Sequence, residues 1–235
     1  MQNLNWDKLL NRSYTPYSQK PAACIIEGTS GQFYPGVRIE NVSFPLTIAE
    51  DQAAICFCLS QGDQPARLIV HPDDHKDHSY WINLYNLPAD RLKNISSINF
   101  QNVLLSSDID KKSELKELTK KSVTPNSNFH VSALLGTSGG FISGINVEFD
   151  NWQSGLCAER LALAKAYAFG YNTFDSIHIH ADAGEFVSPC GACRQVLIEH
   201  LPHHPVNLYH FNGSHSIYFS DQLLPFYIKT DTLRT

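Results

Sequence analysis

No apolar run in this chain approaches the ~20 residues a membrane-spanning helix needs, although hydrophobic residues make up 43% of its 235. The opening stretch MQNLNWDKLLNRSY sets Asp7 and Lys8 inside a weak apolar pattern, so it lacks the uninterrupted apolar region of an export signal. These absences predict a soluble, non-exported chain that works in the cytoplasm, away from membranes. Basic clusters are missing as well: the formal net charge is −5, and no long Lys/Arg run offsets it. That disfavours a nucleic acid polymer as partner, because phosphate neutralisation supplies most non-specific affinity for nucleic acid. A small uncharged substrate suits the balance better. Cysteine is sparse, at six residues, and in a chain without an export signal its spacing points to metal or catalysis before disulfides.

The sequence is written twice. RSYTPYS (12–18) returns as KSVTPNS (121–127), GVRIEN (36–41) as GINVEF (144–149), and LIVHPDD (68–74) as IHIHADA (177–183), always 108 or 109 residues later. Three co-linear matches at one offset indicate a duplicated domain. Each copy reads as an amphipathic helix and a Pro/Ser turn, then an alternating strand, AACIIEG or VSALLGT. A glycine-containing hairpin follows (TSGQFYPG, TSGGFISG), then a second strand (VRIENV, INVEF), a helix (AEDQAAICFCLSQG, CAERLALAKAYAFG), and further strands and helices. Strands alternating with helices predict two tandem three-layer α/β/α sandwiches, each with a mixed sheet flanked by helices. The polar stretch SSDIDKKSE sets their boundary near residue 108, giving halves 1–107 and 108–235.

Three cysteines in the second copy do not look like packing residues: Cys157 in CAE, and Cys190 and Cys193 in PCGAC. Three thiolates without a fourth Cys or His at ligand spacing suit a catalytic Zn²⁺ with one open position; a structural zinc is usually closed by a fourth protein ligand. Both groups precede apolar-periodic stretches, so they are expected at helix N-termini, where exposed N–H groups favour thiolate. Glu159, two residues from a ligand, can handle a proton without ligating. Arg160 and Arg194 directly follow the ligand groups and could draw off excess negative charge, or be ordinary surface residues. A structural zinc or a redox Cys-x-x-Cys is the plainer alternative.

These residues carry a resemblance. CAE…PCGAC fits the zinc nucleobase deaminase signature with Cys as first ligand, and NSNFHVSALL, GINVE, GLCAERLAL, SPCGACRQVL and LLPFYI resemble the free-nucleoside cytidine deaminases across nearly the whole second half. The first half is similar in SYTPYS and GVRIENVSFPLTIAEDQAAI. The resemblance implies hydrolytic deamination of cytidine or 2′-deoxycytidine by zinc-bound hydroxide, a step of pyrimidine salvage. Cys157, Cys190 and Cys193 would hold the metal and Glu159 would pass protons. Asn146 and Glu148 would grip the ribose, Phe129 would pack near the pyrimidine, and backbone groups of Ala158 and Ser188 would read the ring. Taken alone, Asn146 and Glu148 also read as strand-edge polar residues, and Phe129 as core. After NVE the family usually continues Asn-Ala-Ser-Tyr, where this chain has Phe149-Asp150-Asn151-Trp152; Ile228 stands where family members carry a phenylalanine that reaches a neighbouring subunit.

The first copy has lost this chemistry. Ala49 and Asp51 stand where Cys157 and Glu159 would be, Arg38 replaces Asn146 and Lys20 replaces Phe129, while Glu40 matches Glu148. Its remaining histidines, in HPDDHKDH (71–78), read as a solvated acidic loop, and Trp81 and Tyr85 are expected to fill the vacated ligand space. The empty half is expected to serve as a built-in neighbour, two chains forming a homodimer that mimics a tetramer. Two other functions compete: a catalytically silent, zinc-stabilised binding or regulatory protein, and a deaminase of another nucleoside-like substrate.

Overall fold

Hydrophobic alternation and helix caps build the same motif in both halves. The computed structural model describes residues 4–233; residues 1–3 and 234–235, the extremities of the two expected halves, lie outside the described residues. Asn5 caps α1 (Trp6–Leu10) by accepting from the Lys8 amide, and the helix buries Trp6 and Leu9. Then come β1 (Ala23–Gly28), β2 (Phe33–Val37), α2 (Glu50–Ser60), β3 (Pro65–Val70), α3 (Ser79–Tyr85) and β4 (Ala89–Arg91). β5 (Leu104–Leu105) follows just before residue 108, and the second half then runs through α4 (Lys111–Thr119), β6 (Val131–Thr137), β7 (Gly140–Ile145), α5 (Ala158–Ala168), β8 (Ser176–Ala181) and α6 (Gly191–His200). It closes with β9 (Pro205–Tyr209), β10 (His215–Phe219) and α7 (Ser220–Leu223).

The sheets repeat each other. The first has the order β2-β1-β3-β4 and the second contains its counterpart β7-β6-β8-β9. In each, three antiparallel strands are followed by one parallel pair, β3 with β4 and β8 with β9. Edge strands β10 and β5 extend only the second sheet, and β5 lies ahead of the polar stretch near residue 108. Helices cover both faces of the second sheet. Ser132 of β6 bonds back to α4 through Thr119 and the Leu115 carbonyl, whereas Gly144, opposite the next residue Ala133, lies under α5. This gives the α/β/α layering expected.

The second strand of each copy sits earlier than its sequence suggests. VRIENV and INVEF read as strands, but β2 and β7 begin within what reads as hairpin, and residues 38–42 and 146–149 run on only through isolated bridges. Pro35 disguised β2: it is admissible because β2 is an edge strand and needs no amide on its open side.

One glycine per copy is required by close approach. A Cβ on Gly36 would lie 2.0 Å from the Glu50 carbonyl oxygen, and one on Gly144 2.1 Å from that of Ala158. Their absence lets the first turn of α2 or α5 press onto the edge strand. The hydrophobic core is continuous across the halves, with Phe57 of α2 against Phe169 and Trp81 of α3 against Phe149. Polar contacts join them too. Glu199 on α6 accepts from the Tyr14 and Tyr17 hydroxyls and the Val42 amide, and Arg12 donates to the Ala168 carbonyl.

Candidate metal centre and substrate cleft

Two helix starts bring the three thiols together. Cys157 is the N-cap of α5 and Cys190 the N-cap of α6; both have extended φ/ψ, and Cys193 lies one turn into α6. The Cys190 sulfur accepts from the Cys193 amide at 3.5 Å. Cys157 Sγ and Cys190 Sγ lie 3.8 Å apart, and all three sulfurs lie within 4.8 Å of one another. Two ligands about 2.3 Å from a tetrahedral ion are separated by about 3.8 Å, so the donor set fits zinc without rearrangement. Among the described residues no fourth Cys, His, Asp or Glu joins this group.

The thiols compete for protons. Hydrogen bonds from Cys157 and Cys193, helped by the Cys193 and Ala192 amides, drive Cys190 far below the usual thiol range. Hydrogen bonding with Cys190 pushes Cys157 up to about 12, and Cys193 is raised through its bonds with Cys157 and Cys190 and by burial. Glu159, one turn into α5 and only 5% exposed, is pushed up to about 7 chiefly by burial.

All of these open onto a cleft of about 850 Å³, within the range of small-molecule sites. Phe129, Asn146, Glu148, Ala158 and Ser188 line it, as do Cys157, Glu159, Cys190 and Cys193. Phe129 is 42% exposed, a cleft position and not a core one. Glu148 accepts from the amides of Asn126 and Ser127 and the Ser127 hydroxyl. Asn146 is spent on the backbone, accepting from the Val131 amide and donating to the Phe129 carbonyl.

The arginines do something more local than the sequence suggests. Arg160 also faces the cleft but donates to the Leu46 carbonyl of the first half, leaving a buried Nε without an acceptor. Arg194 braces the turn before α6, donating to the Pro189 carbonyl, the Ser188 hydroxyl and the Leu223 carbonyl. Neither arginine donates to a sulfur among the described residues. Sequence reasoning also missed the first half's share of the cleft: Pro45, Thr47 and Gln52 line its wall.

The corresponding place in the first half is closed by charge. Ala49 caps α2 with nearly the backbone angles of Cys157, and His78 caps α3 as Cys190 caps α6. His78 is 7% exposed, bonded to Asp51 at 2.7 Å and Asp74 at 2.9 Å, and Lys76 bridges Glu50 and Asp51. The loop read as solvated therefore turns inward: two buried carboxylates at the start of α2 need cations, and Lys76 and His78 supply them. Trp81, in the α3 position of Cys193, fills space as expected, while Tyr85 lies a turn further on. Glu50, Asp51 and His78 have metal-ligand types, but the Lys76 ammonium already sits among them.

A model of the cytidine and deoxycytidylate deaminase zinc-binding region matches residues 106–206, and a second model of that region matches residues 7–70. A probable cytidine deaminase of Dictyostelium discoideum is 44% identical over 77 residues, 32% of this chain and 52% of its own length. A cytidine deaminase of Sporosarcina psychrophila is 36% identical over 109 residues, 46% of this chain and 73% of its own. The matched segments thus span about half to three quarters of these curated relatives. A crystal structure of a Burkholderia pseudomallei cytidine deaminase superposes with a TM-score of 0.47 at 36% identity, covering 49% of this chain and 94% of that one.

Proposed function

The chain belongs to the zinc-dependent cytidine deaminases, and we propose that its second half, residues 108–235, hydrolyses cytidine or 2′-deoxycytidine to the uridine counterpart and ammonia while residues 1–107 are non-catalytic. One observation carries this reading: three thiols at two helix N-termini, their sulfurs within 4.8 Å of one another, beside buried Glu159 in a nucleoside-sized cleft. Cys157, Cys190 and Cys193 hold the zinc, which when bound supplies the Lewis acid that makes water nucleophilic at neutral pH. Glu159 takes one proton from the attacking water and gives it to the ring nitrogen beside the amine-bearing carbon, then takes the second from the new hydroxyl on that carbon and delivers it to the amine, which leaves as ammonia while the carbonyl forms. Its burial keeps bulk water from competing.

The other cleft residues bind and orient. Glu148, fixed by the 126–127 turn, offers its carboxylate to ribose hydroxyls, and Asn146 lies beside it, tying the Phe129 segment down. Phe129 packs on the pyrimidine, and backbone groups of Ala158 and Ser188 read the ring's oxygen and amine. Arg194 braces the turn that leads into Cys190, Arg160 ties the start of α5 to the first half, and the positive charge of both offsets that of the thiolates. The first half is a permanent neighbour sharing the core, and no described helix is long and apolar enough to cross a membrane. Phe226, 97% exposed, supports a homodimer in which two chains mimic a tetramer. A cytoplasmic role in pyrimidine salvage follows from the substrate.

The test is a deamination assay over cytidine, deoxycytidine, cytosine and dCMP, with metal analysis of the same protein. One zinc per chain, turnover of a nucleoside, and loss of that turnover with retained zinc in Glu159→Gln are expected. A metal-bearing chain inert toward all four would favour the silent binding protein.

A further inference from the structure

Position 52 in the first copy matches position 160 in the second, and the two side chains reach across the interface in opposite directions. Arg160 Nη2 donates to the Leu46 carbonyl at 3.0 Å, in the 3-10 turn Phe44–Leu46. Gln52 Nε2 points at three carbonyls of the counterpart turn: Gln153 at 3.2 Å, Ser154 at 3.1 Å and Gly155 at 3.2 Å. The two arms are unequal. Arg160 holds one carbonyl of a turn with no chemistry behind it, whereas Gln52 holds the segment that runs directly into the metal ligand Cys157.

That segment carries Trp152, which stands at the cleft wall and is 64% exposed. An indole so exposed has little packing to fix it, so its position is set by the turn beneath it. The turn's own backbone support is slight: the Ser154 amide reaches the Asn151 carbonyl at 2.9 Å and the Gly155 amide that of Trp152 at 3.4 Å. We propose that Gln52, a residue of the half without the metal site, is a positioning residue that holds the Trp152 turn against the cleft and so sets affinity for a planar nucleoside. This extends the proposed deamination and rests on it for the identity of the ligand. The chemistry is that of a donor facing acceptors: a carboxylate in that place would set oxygen against oxygen.

The full-length chain tests this with Gln52→Ala, Gln52→Glu and Gln52→Arg. Gln52→Glu keeps the shape but offers oxygen to oxygen; Gln52→Arg restores donors, as Arg160 does in the other direction. Removing the donors is expected to raise KM for cytidine about tenfold and leave kcat within twofold, with Gln52→Arg returning KM toward wild type. A second readout needs no substrate. Trp6 and Trp81 are 4% and 5% exposed, so Trp152 is the one exposed emitter, and subtracting the Trp152→Phe signal isolates it. Its fluorescence anisotropy is expected to fall in Gln52→Ala and Gln52→Glu and to recover in Gln52→Arg. Unchanged anisotropy and KM in Gln52→Glu would overturn the clamp. A wild type inert toward cytidine whose Trp152 anisotropy still falls in Gln52→Glu would retire the proposed reaction and leave the clamp standing.

Discussion

Gly36 and Gly144 allow one steric insult to be delivered twice, once beside the thiols and once in the half that has none. An added Cβ would sit 2.1 Å from the Ala158 carbonyl oxygen and 2.6 Å from the Ala162 nitrogen at Gly144, and 2.0 Å from Glu50 O and 2.6 Å from Ala54 N at Gly36. Since real Cβ contacts are essentially never under 3.0 Å, α5 or α2 must withdraw by about 1 Å. Overpacking of this kind costs about 1–3 kcal/mol. In a chain of this size each kcal/mol lowers Tm by about 2–4 °C, so both alanine variants should melt roughly 2–12 °C early. Their chemistry should part. The first turn of α5 carries Cys157 and Glu159, and metal–ligand distances tolerate only about 0.2 Å. Gly144→Ala should therefore lose most of its zinc and its turnover. Gly36→Ala should keep one zinc per chain and a near-normal kcat, with KM raised because Gln52 moves with α2. Calorimetry, metal analysis by mass spectrometry and steady-state kinetics on the two proteins decide it. Equal zinc loss in both, or full zinc and turnover in Gly144→Ala, would refute the assignment of the metal to α5 and α6.

Glu199→Gln presents an amide where the carboxylate accepts from Tyr14, Tyr17 and Val42; it should cost about 2–4 kcal/mol, read as a Tm drop, and a drop under 1 °C would count against a fixed interface. His78 is raised above its ordinary value: burial alone would lower it, but hydrogen bonds to Asp51 and Asp74 outweigh burial. A raised folded pKa stabilises fully below the unfolded value near 6.5 and fades as pH climbs through the folded one. Asp51 is lowered, its bonds to His78 and Lys76 outweighing burial, so its share is lost as pH falls through the folded pKa. The Tm gap between wild type and His78→Asn should be widest at roughly pH 4–6.5 and shrink on the alkaline side; a gap that widens there contradicts the cluster. Lys165 is pulled down to about 7 by burial and by Lys121, so between about pH 7 and its unfolded value near 10.4 stability gains with rising pH. Lys165→Met should remove that gain, measured as the wild-type minus variant Tm across the range.

What could be read from the chain was whatever is local. The duplication, the helices and the ligand-bearing N-caps follow from short-range periodicity and from residues a few positions apart, as in PCGAC and CAE. The cleft residues came from motif context, since nothing in an isolated Phe129 or Asn146 distinguishes wall from core. Strand positions slipped because Pro35 reads as a turn until β2 is known to be an edge strand. Hidden altogether were contacts between residues far apart: Gln52 with a turn 101–103 residues on, Glu199 with tyrosines more than 180 residues back, and His78 with Asp51 across 27.

If the first half is non-catalytic, as proposed, these distant contacts account for its retention. Ala49, His78 and Trp81 stand where the three thiols would be, yet α2 keeps the cap angles, the glycine contact and the length of α5. The carboxylates at the start of α2 would be an uncompensated buried charge without Lys76 and His78, so their neutralisation preserves the helix. Preserving α2 in place is what delivers Gln52 to the working turn and Phe57 to the shared core. Residues 108–235 alone would expose that core face and lose the wall formed by Pro45, Thr47 and Gln52. The isolated fragment should aggregate or turn over cytidine with a much higher KM, and a soluble fragment matching the full chain would show the first half to be dispensable.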